Sequence, residues 1–287
     1  MKLLRHGPKG QEKPALLDAN GVLRDLSGVI ADITVTTLAP SELAKLQALD
    51  PSSLPAVDAQ AVAVPWQGMG KFVAIGLNYA DHAAEAGMAL PKEPIVFIKA
   101  NSCAVGADHD VVLPQGSVKS DWEVELGVVI GQRARYVSVE QALDHVAGYC
   151  VVNDISEREY QIERGGQWDK GKGCDTFGPI GPWLVTADEV PDPQNLNLWL
   201  DLNGQRYQTG NTSTMVFSVA EIISYLSRFM TLEPGDLITT GTPPGVGMGV
   251  KPTPVFLKAG DAMHLGIDGL GEQRQQVYAW DPARIDA

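Results

Sequence analysis

The sequence predicts an α+β fold dominated by strands, with a small N-terminal β-rich unit over 1–65 and a larger domain over 66–287. Three observations predict it. Short apolar runs punctuated by Gly and Pro recur from Phe72 to Ile267. Helical periodicity is confined to a few segments, and the strands do not alternate with helices as a doubly wound sheet requires. The chain has 287 residues, 44% hydrophobic and 20% charged, enough to bury a core in one large domain or two.

Each element has its local reason. Lys2–His6 is a strand candidate. Ala15–Leu17 and Val22–Leu26 flank Asp18-Ala19-Asn20-Gly21, where Asn-Gly supplies the positive φ of a tight hairpin turn. Ser41 and Glu42 open a helix over Leu43–Leu49. A Pro- and Ala-rich stretch with Pro51, Pro55 and Pro65 reads as a linker. Beyond it, strands are predicted at Phe72–Leu77, Ile95–Lys99, Val111–Leu113, Trp122–Ile130, Tyr149–Asn153, Trp183–Thr186, Leu196–Leu202, Leu237–Thr240 and Met263–Ile267. Asn203-Gly204 marks a second hairpin turn. Helices are predicted over Ser138–His145 and over Val219–Phe229, the latter capped by Ser218.

Charge and cysteine usage exclude several functions. Lys and Arg number 22 against 35 Asp and Glu, a formal charge of −13. That balance argues against nucleic acid and against an anionic membrane surface, both of which need a basic face. An anionic small molecule needs only a local positive pocket. Cys103, Cys150 and Cys174 are scattered, which excludes a disulfide framework and a cysteine-based zinc site and fits a reduced, cytoplasmic setting. The N-terminal Met1–Gly7 stretch lacks the apolar segment of a signal peptide, and no run approaches the roughly 18 apolar residues of a membrane span.

The chemistry-bearing segment is Asp121-Trp122-Glu123-Val124-Glu125-Leu126, which runs into the apolar Gly127–Ile130. Period-2 alternation puts Asp121, Glu123 and Glu125 on one face. Carboxylates at the mouth of a buried strand repel one another and resist desolvation, and a divalent cation relieves both problems. A solvated edge face is the alternative. Tyr149–Asn153 is a second apolar strand, ending in Asp154. Two Glu and one Asp form an all-oxygen set suited to Mg²⁺, Mn²⁺ or Ca²⁺ rather than zinc.

His82 and Glu85 stand at i,i+3, so they touch on a short helix. Such a pair is either a surface contact or a general base tuned by its carboxylate. Gly166–Gly173 imitates a phosphate-binding loop, but Gly173 stands where a Ser or Thr is required; what survives is Lys172, a cation between glycines. Gly245-Val246-Gly247-Met248-Gly249 imitates a dinucleotide loop, but Pro252 and Pro254 forbid the helix that must follow. Thr240-Gly241-Thr242-Pro243-Pro244-Gly245 either places backbone N–H groups and a hydroxyl near a ligand carboxylate or is a plain tight loop.

Together these segments resemble the fumarylacetoacetate hydrolase family, from about Phe72 to Trp280. The resemblance rests on Gly76-Leu77-Asn78-Tyr79 with His82 and Glu85, Phe97-Ile98-Lys99, Asp121–Leu126, Asn153–Arg158 with Gln161, Gly171-Lys172 with Asp175-Thr176, and Thr240–Pro243. It implies a mixed β-sandwich roll, usually a homodimer, with Mg²⁺ or Mn²⁺ held by Glu123, Glu125 and Asp154. It makes His82 and Glu85 a catalytic dyad on a mobile lid and Lys172 the cationic electrophile. Lys99, Arg158, Gln161 and Thr242 become substrate-pocket residues. Cys174 departs from the Phe of many members. The implied activity is hydrolysis of a 2,4-diketo acid, fumarylpyruvate-like or a 2,4-diketo-3-deoxy sugar acid, to pyruvate and a carboxylic acid. Decarboxylation of oxaloacetate or isomerisation of a 2-oxo acid would use the same site, and a non-catalytic metal-binding protein would need the acids but not the dyad.

Overall fold

The computed structural model describes residues 1–58 and 61–285; Ala59 and Gln60, inside the stretch read as a linker, and Asp286 and Ala287, at the end of the larger predicted domain, lie outside the described residues. In chain order the strands are β1 (Lys2–His6), β2 (Lys13–Leu17), β3 (Leu23–Asp25), β4 (Phe72–Gly76), β5 (Ile95–Lys99), β6 (Ala104–Gly106), β7 (Val111–Val112), β8 (Ser120–Asp121), β9 (Val124–Ile130), β10 (Val146–Asn153), β11 (Ser156–Glu157), β12 (Gly178–Thr186), β13 (Asn197–Leu202), β14 (Gln205–Asn211), β15 (Leu237–Thr239), β16 (Ala262–Ile267) and β17 (Gly271–Tyr278). The α-helices are α1 (Pro40–Gln47), α2 (Ala80–Ala86), α3 (Asp169–Lys172), α4 (Val219–Phe229) and α5 (Pro282–Ile285). Strands dominate, as expected.

The strands form a large mixed sheet ordered β3-β2-β1-β12-β10-β9-β15-β4-β5, with β6 beside β12, a second sheet ordered β14-β13-β16-β17-β7, and the small β8–β11 pair. The N-terminal hairpin joins the large sheet directly, β1 pairing antiparallel with β12. Both faces of β9 and β10 are covered, which explains their unbroken apolar sequences. Leu126, Val128, Tyr149 and Val151 pack with Leu198, Leu200 and Leu265 of the second sheet and with Ile222, Ile223 and Leu226 of α4. Val129, Cys150 and Val152 face the opposite core, with Leu3, Leu16, Leu26 and Trp66. The α4 boundary is set by a capping box: Ser218 Oγ accepts from the Glu221 N–H, and the Glu221 carboxylate accepts from the Ser218 N–H.

Three expectations change. The helix expected over Ser138–His145 shrinks to one 3₁₀ turn, Ala142–His145. The run Trp122–Ile130 is not one strand, because Glu123 separates β8 from β9. β14 and β17 were not anticipated, because amides take core positions there. In β17, Gln273 and Gln275 alternate inward with Val277. Gln273 Nε2 donates to the carbonyls of Val151 at 2.8 Å and Gly181 at 3.0 Å. Backbone carbonyls thus satisfy amides that would be costly to bury alone.

The topology gathers four chain segments at one end of the central strands. Antiparallel pairing sets Val124 opposite Asn153 and Glu125 opposite Val152, so the start of β9 meets the end of β10. β15 runs antiparallel to β9 and parallel to β4, with Thr239 level with Gly127 and Ala74. The loop after β15 and the helix after β4 therefore emerge beside the acidic segment.

Candidate active site

Glu123, Glu125 and Asp154 are buried, and one carboxylate oxygen from each lies within 4.8 Å of the others. Antiparallel neighbours bring them together, and the Asp154 N–H donates to the Glu123 carbonyl at 2.8 Å. The break in the strand is pinned from both sides: Glu123 N–H donates to Asn153 Oδ1 at 3.2 Å, and Val124 N–H donates to Gln208 Oε1 at 2.9 Å. Glu125 Oε2 accepts from Thr239 Oγ1 and, at 2.7 Å, from the Gly241 N–H.

Cations surround the acids. Lys172 Nζ donates to Glu123 Oε2 and Asp154 Oδ2, at 2.6 Å each. Lys99 Nζ lies 2.6 Å from Asp154 Oδ1 and donates to the carbonyls of Ile155, at 3.3 Å, and Lys172. Arg158 donates to Asp121 Oδ2 at 2.9 Å, Glu123 Oε1 at 2.7 Å and Gln161 Oε1 at 3.0 Å. Asp121 does not join the triad as strict alternation requires. It turns to Arg158 and to the N–H groups of Gly247 and Met248, at 2.6 and 3.0 Å. Thr242 Oγ1 donates to the Val124 carbonyl at 2.9 Å and accepts from Gln208 Nε2 at 2.8 Å.

Electrostatics separates the two glutamates. Burial opposes ionisation of Glu123, but the charges of Lys172 and Arg158 outweigh it and hold its carboxyl at about 2. Glu125 is pushed well above the usual carboxylate range, first by burial and then by the charges of Asp154 and Glu123. Burial opposes the charge on Lys172, yet Asp154 and Glu123 raise its pKa, so it stays an ammonium ion. Four acids thus face three cations, and Glu125 carries the uncompensated charge. Asp154 Oδ1 has no aligned hydrogen-bond donor, although Lys99 stands at ion-pair distance. Converging oxygens, an uncompensated carboxylate and a spare lone pair fit a hard divalent cation.

The His82–Glu85 pair is linked to this cluster through the segment Gly245–Met248, whose N–H groups reach Glu85 at one end and Asp121 at the other. After Gly76 the chain turns through Leu77, at φ 52°, into α2. Asn78 pins that turn, its amide donating to the carbonyls of Phe217 and Thr240 at 3.1 and 2.8 Å. His82 Nδ1 lies 3.2 Å from Glu85 Oε2. The Glu85 carboxylate also accepts from the Gly245 N–H, at 3.1 and 3.2 Å.

The structure thus gathers Glu123, Glu125, Asp154, Lys99, Lys172, Arg158 and Gln161 into one bonded cluster, with Thr242 anchored to its strand. Lys172, expected in a loop, ends the short helix α3 and is buried. Sequence reasoning missed Asn153, Gln208 and the linking role of Asp121. Asn153 and Gln208 carry no pattern of their own. Asp121 was visible but was assigned to the wrong face.

A strand-dominated α+β fold with a buried carboxylate triad and a neighbouring His–Glu pair defines the class as an enzyme with a candidate metal centre. Residues 71–278 match the fumarylacetoacetate (FAA) hydrolase C-terminal family. The chain belongs to that family. A Burkholderia ambifaria protein named "Putative hydrolase" is 65% identical, over 96% of this chain and 99% of its own length. The solved fumarylacetoacetate hydrolase of Exiguobacterium antarcticum is 33% identical, with a TM-score of 0.84 over 98% of this chain and 100% of its own. Maleylpyruvate hydrolase from Sphingobium sp. SYK-6, solved with manganese(II) and pyruvate, is 28% identical, with a TM-score of 0.81 over the same shares. Family and names together support hydrolase activity. Among the described residues, no helix is long and apolar enough to cross a membrane.

Proposed function

We propose that this protein is a divalent-metal-dependent hydrolase that cleaves the C–C bond of a 2,4-diketo acid, yielding pyruvate and a carboxylic acid. The observation that supports it most is the convergence of Glu123, Glu125 and Asp154 beside the His82–Glu85 pair. The three carboxylates would hold Mg²⁺ or Mn²⁺. When bound, the ion supplies Lewis-acid polarisation of the carboxylate and oxo oxygens of a 2-oxo acid. The maleylpyruvate hydrolase carrying manganese and pyruvate supports this choice of ligands.

The remaining steps belong to the chain's own side chains. Glu85, at His82 Nδ1, orients the ring so that Nε2 takes the proton of a water. That water attacks the C4 carbonyl, and the C3–C4 bond breaks with its electron pair leaving on C3 as the enolate of pyruvate. The proton taken by His82 is returned to C3, so that water's OH ends on the carboxylic acid and its H on pyruvate. Lys172 spends two N–H groups on Glu123 and Asp154; the third faces the developing oxyanion. Arg158 and Gln161 bind the acid end of the substrate. Lys99 and Thr242, tied to Asp154 and Val124, shape its pocket. The proposal includes a cytoplasmic homodimer, checked by light scattering.

The test is pyruvate release from a panel of acylpyruvates and 2,4-diketo-3-deoxy sugar acids, with Mg²⁺, with Mn²⁺ and with chelator. Cation-dependent release with one equivalent of carboxylic acid is expected. Release undiminished by chelator would overturn the proposal. So would CO₂ loss from oxaloacetate with every acylpyruvate left intact.

A further inference from the structure

The segment Gly245-Val246-Gly247-Met248-Gly249 has no dinucleotide to bind, yet its three glycines meet three different contacts, two with backbone that exclude any side chain and one with the Glu85 carboxylate. At Gly245, with φ at 101°, a Cβ would fall 1.9 Å from the Tyr207 carbonyl oxygen. At Gly247 a Cβ would fall 2.0 Å from the Val255 carbonyl oxygen and 2.8 Å from Asp121 Oδ1. At Gly249 it would fall 3.0 Å from Glu85 Oε2 and 3.2 Å from Glu85 Cδ. The first two contacts seat the loop on the body of the protein. The third concerns only the dyad: the loop curls round the Glu85 carboxylate, donating to it from the Gly245 N–H at one end and closing against it with the bare Cα of Gly249 at the other.

The loop is also tied to the acidic segment. Trp122 Nε1 donates to the Gly245 carbonyl at 3.1 Å, and the N–H groups of Gly247 and Met248 converge on the Asp121 carboxylate. Asp121 in turn holds Arg158, whose other arm holds Glu123. A continuous bonded path therefore runs from Glu85 through the glycine loop, Asp121 and Arg158 to Glu123.

We propose that this loop is a docking cradle for Glu85, and that Gly249 and Asp121 are positioning residues that register the His82–Glu85 pair against the carboxylate triad. The proposal rests on the reading of that pair as the catalytic dyad. It also explains why so short a helix can carry a catalytic pair. α2 has no side-chain cap at Tyr79 and ends at Gly87 in the left-handed conformation. Seven residues without such a cap are marginal as a helix on their own, so contacts at Glu85 have to fix its position.

Gly249 gives a clean test, because its φ lies outside the left-handed range and the nearest atoms an Ala there meets all belong to the Glu85 side chain. Pushing the carboxylate aside by a few tenths of an ångström in Gly249→Ala should lower kcat about tenfold, and Gly249→Val about a hundredfold, with KM little changed. Mn²⁺ affinity and the melting temperature should stay at wild-type values. Amide exchange across residues 80–86 of the metal-free protein should accelerate. Since Gly249 acts through Glu85, Gly249→Ala should be silent in a Glu85→Ala background. Wild-type kcat in both Gly249 variants, or an equal loss with and without Glu85, overturns the cradle. If His82→Ala and Glu85→Ala both keep full activity, the dyad reading falls instead. The exchange measurement then decides for the cradle alone: faster exchange in Gly249→Val upholds it, and unchanged exchange overturns it.

Discussion

The two halves of the site are held in opposite ways. The triad is built into the body of the protein: Glu125 sits in β9, Glu123 just before it and Asp154 just after the paired β10, and each is clamped by donors from other segments. The dyad rides on a seven-residue helix whose side chains are 14% exposed at His82 and 27% at Glu85, followed by the exposed Met88 and Leu90. On the proposed reading, the difference teaches that charge placement and proton transfer are separable here. The triad must stay rigid because like charges in low dielectric tolerate little displacement. On the same reading the dyad must admit substrate; it is held by few contacts, and the glycine loop supplies two of them to Glu85.

Removing a member of the rigid half should cost the fold itself. Asp154→Ala leaves Lys99 buried with only carbonyl partners and takes from Lys172 one of its two carboxylates. Breaking a buried pair in this way costs about 3–5 kcal/mol. The measurement is denaturant unfolding of the metal-free protein, and wild-type stability would mean that the cluster is less tightly coupled than its distances indicate. Removing a member of the His82–Glu85 half should do the reverse. His82→Ala is expected to lower kcat by about 10²–10⁴ while the melting temperature and Mn²⁺ affinity hold. Comparable losses of stability in both variants would erase the contrast between the halves.

The contrast also explains what could be read from the sequence. β9 and β10 were legible because both faces are apolar, so their runs stand out whatever they pack against. α4 was legible because Ser218 and Glu221 form a local capping box. The triad was legible as three acids at strand ends, and His82–Glu85 as a helical pair. Asn153, Gln208, Gln273 and Gln275 were not. Each is a buried amide whose partners lie far away in sequence: Gln208 reaches Val124 and Thr242, and Gln273 reaches Val151. Their polarity gave no apolar run to read, so the strands that carry Gln208, Gln273 and Gln275 were lost with them, while Asn153 passed unremarked at the end of a strand that was read. Asp121 failed for another reason. Alternation holds only while pairing continues, and the chain leaves its ladder at Glu123, where Asn153 replaces a backbone partner.

The smallest expected effect discriminates best between a cation site and a purely structural ion cluster, because its sign changes. Glu125 has a folded-state pKa well above its ordinary value of 4.5. A group raised in this way stabilises the fold fully below the unfolded value, and the contribution is lost as pH rises through the folded value. At neutral pH, therefore, Glu125 weakens the metal-free protein. Glu125→Gln is neutral at every pH and can keep accepting from Thr239 and Gly241. The depressed Glu123 stabilises above its ordinary carboxylate value and loses that contribution as pH falls towards about 2. Wild type and variant share that trend, so it cancels to first order in their comparison. In chelator at about pH 8 the variant should melt above wild type, and the two should converge as pH falls to the ordinary carboxylate range. Added Mn²⁺ should reverse the order, because only wild type gains the roughly 2.7 kcal/mol available at a hundredfold excess over Kd. A variant that melts below wild type in chelator at neutral pH would show that Glu125 is compensated by the protein alone, with no charge left over for a metal ion to balance.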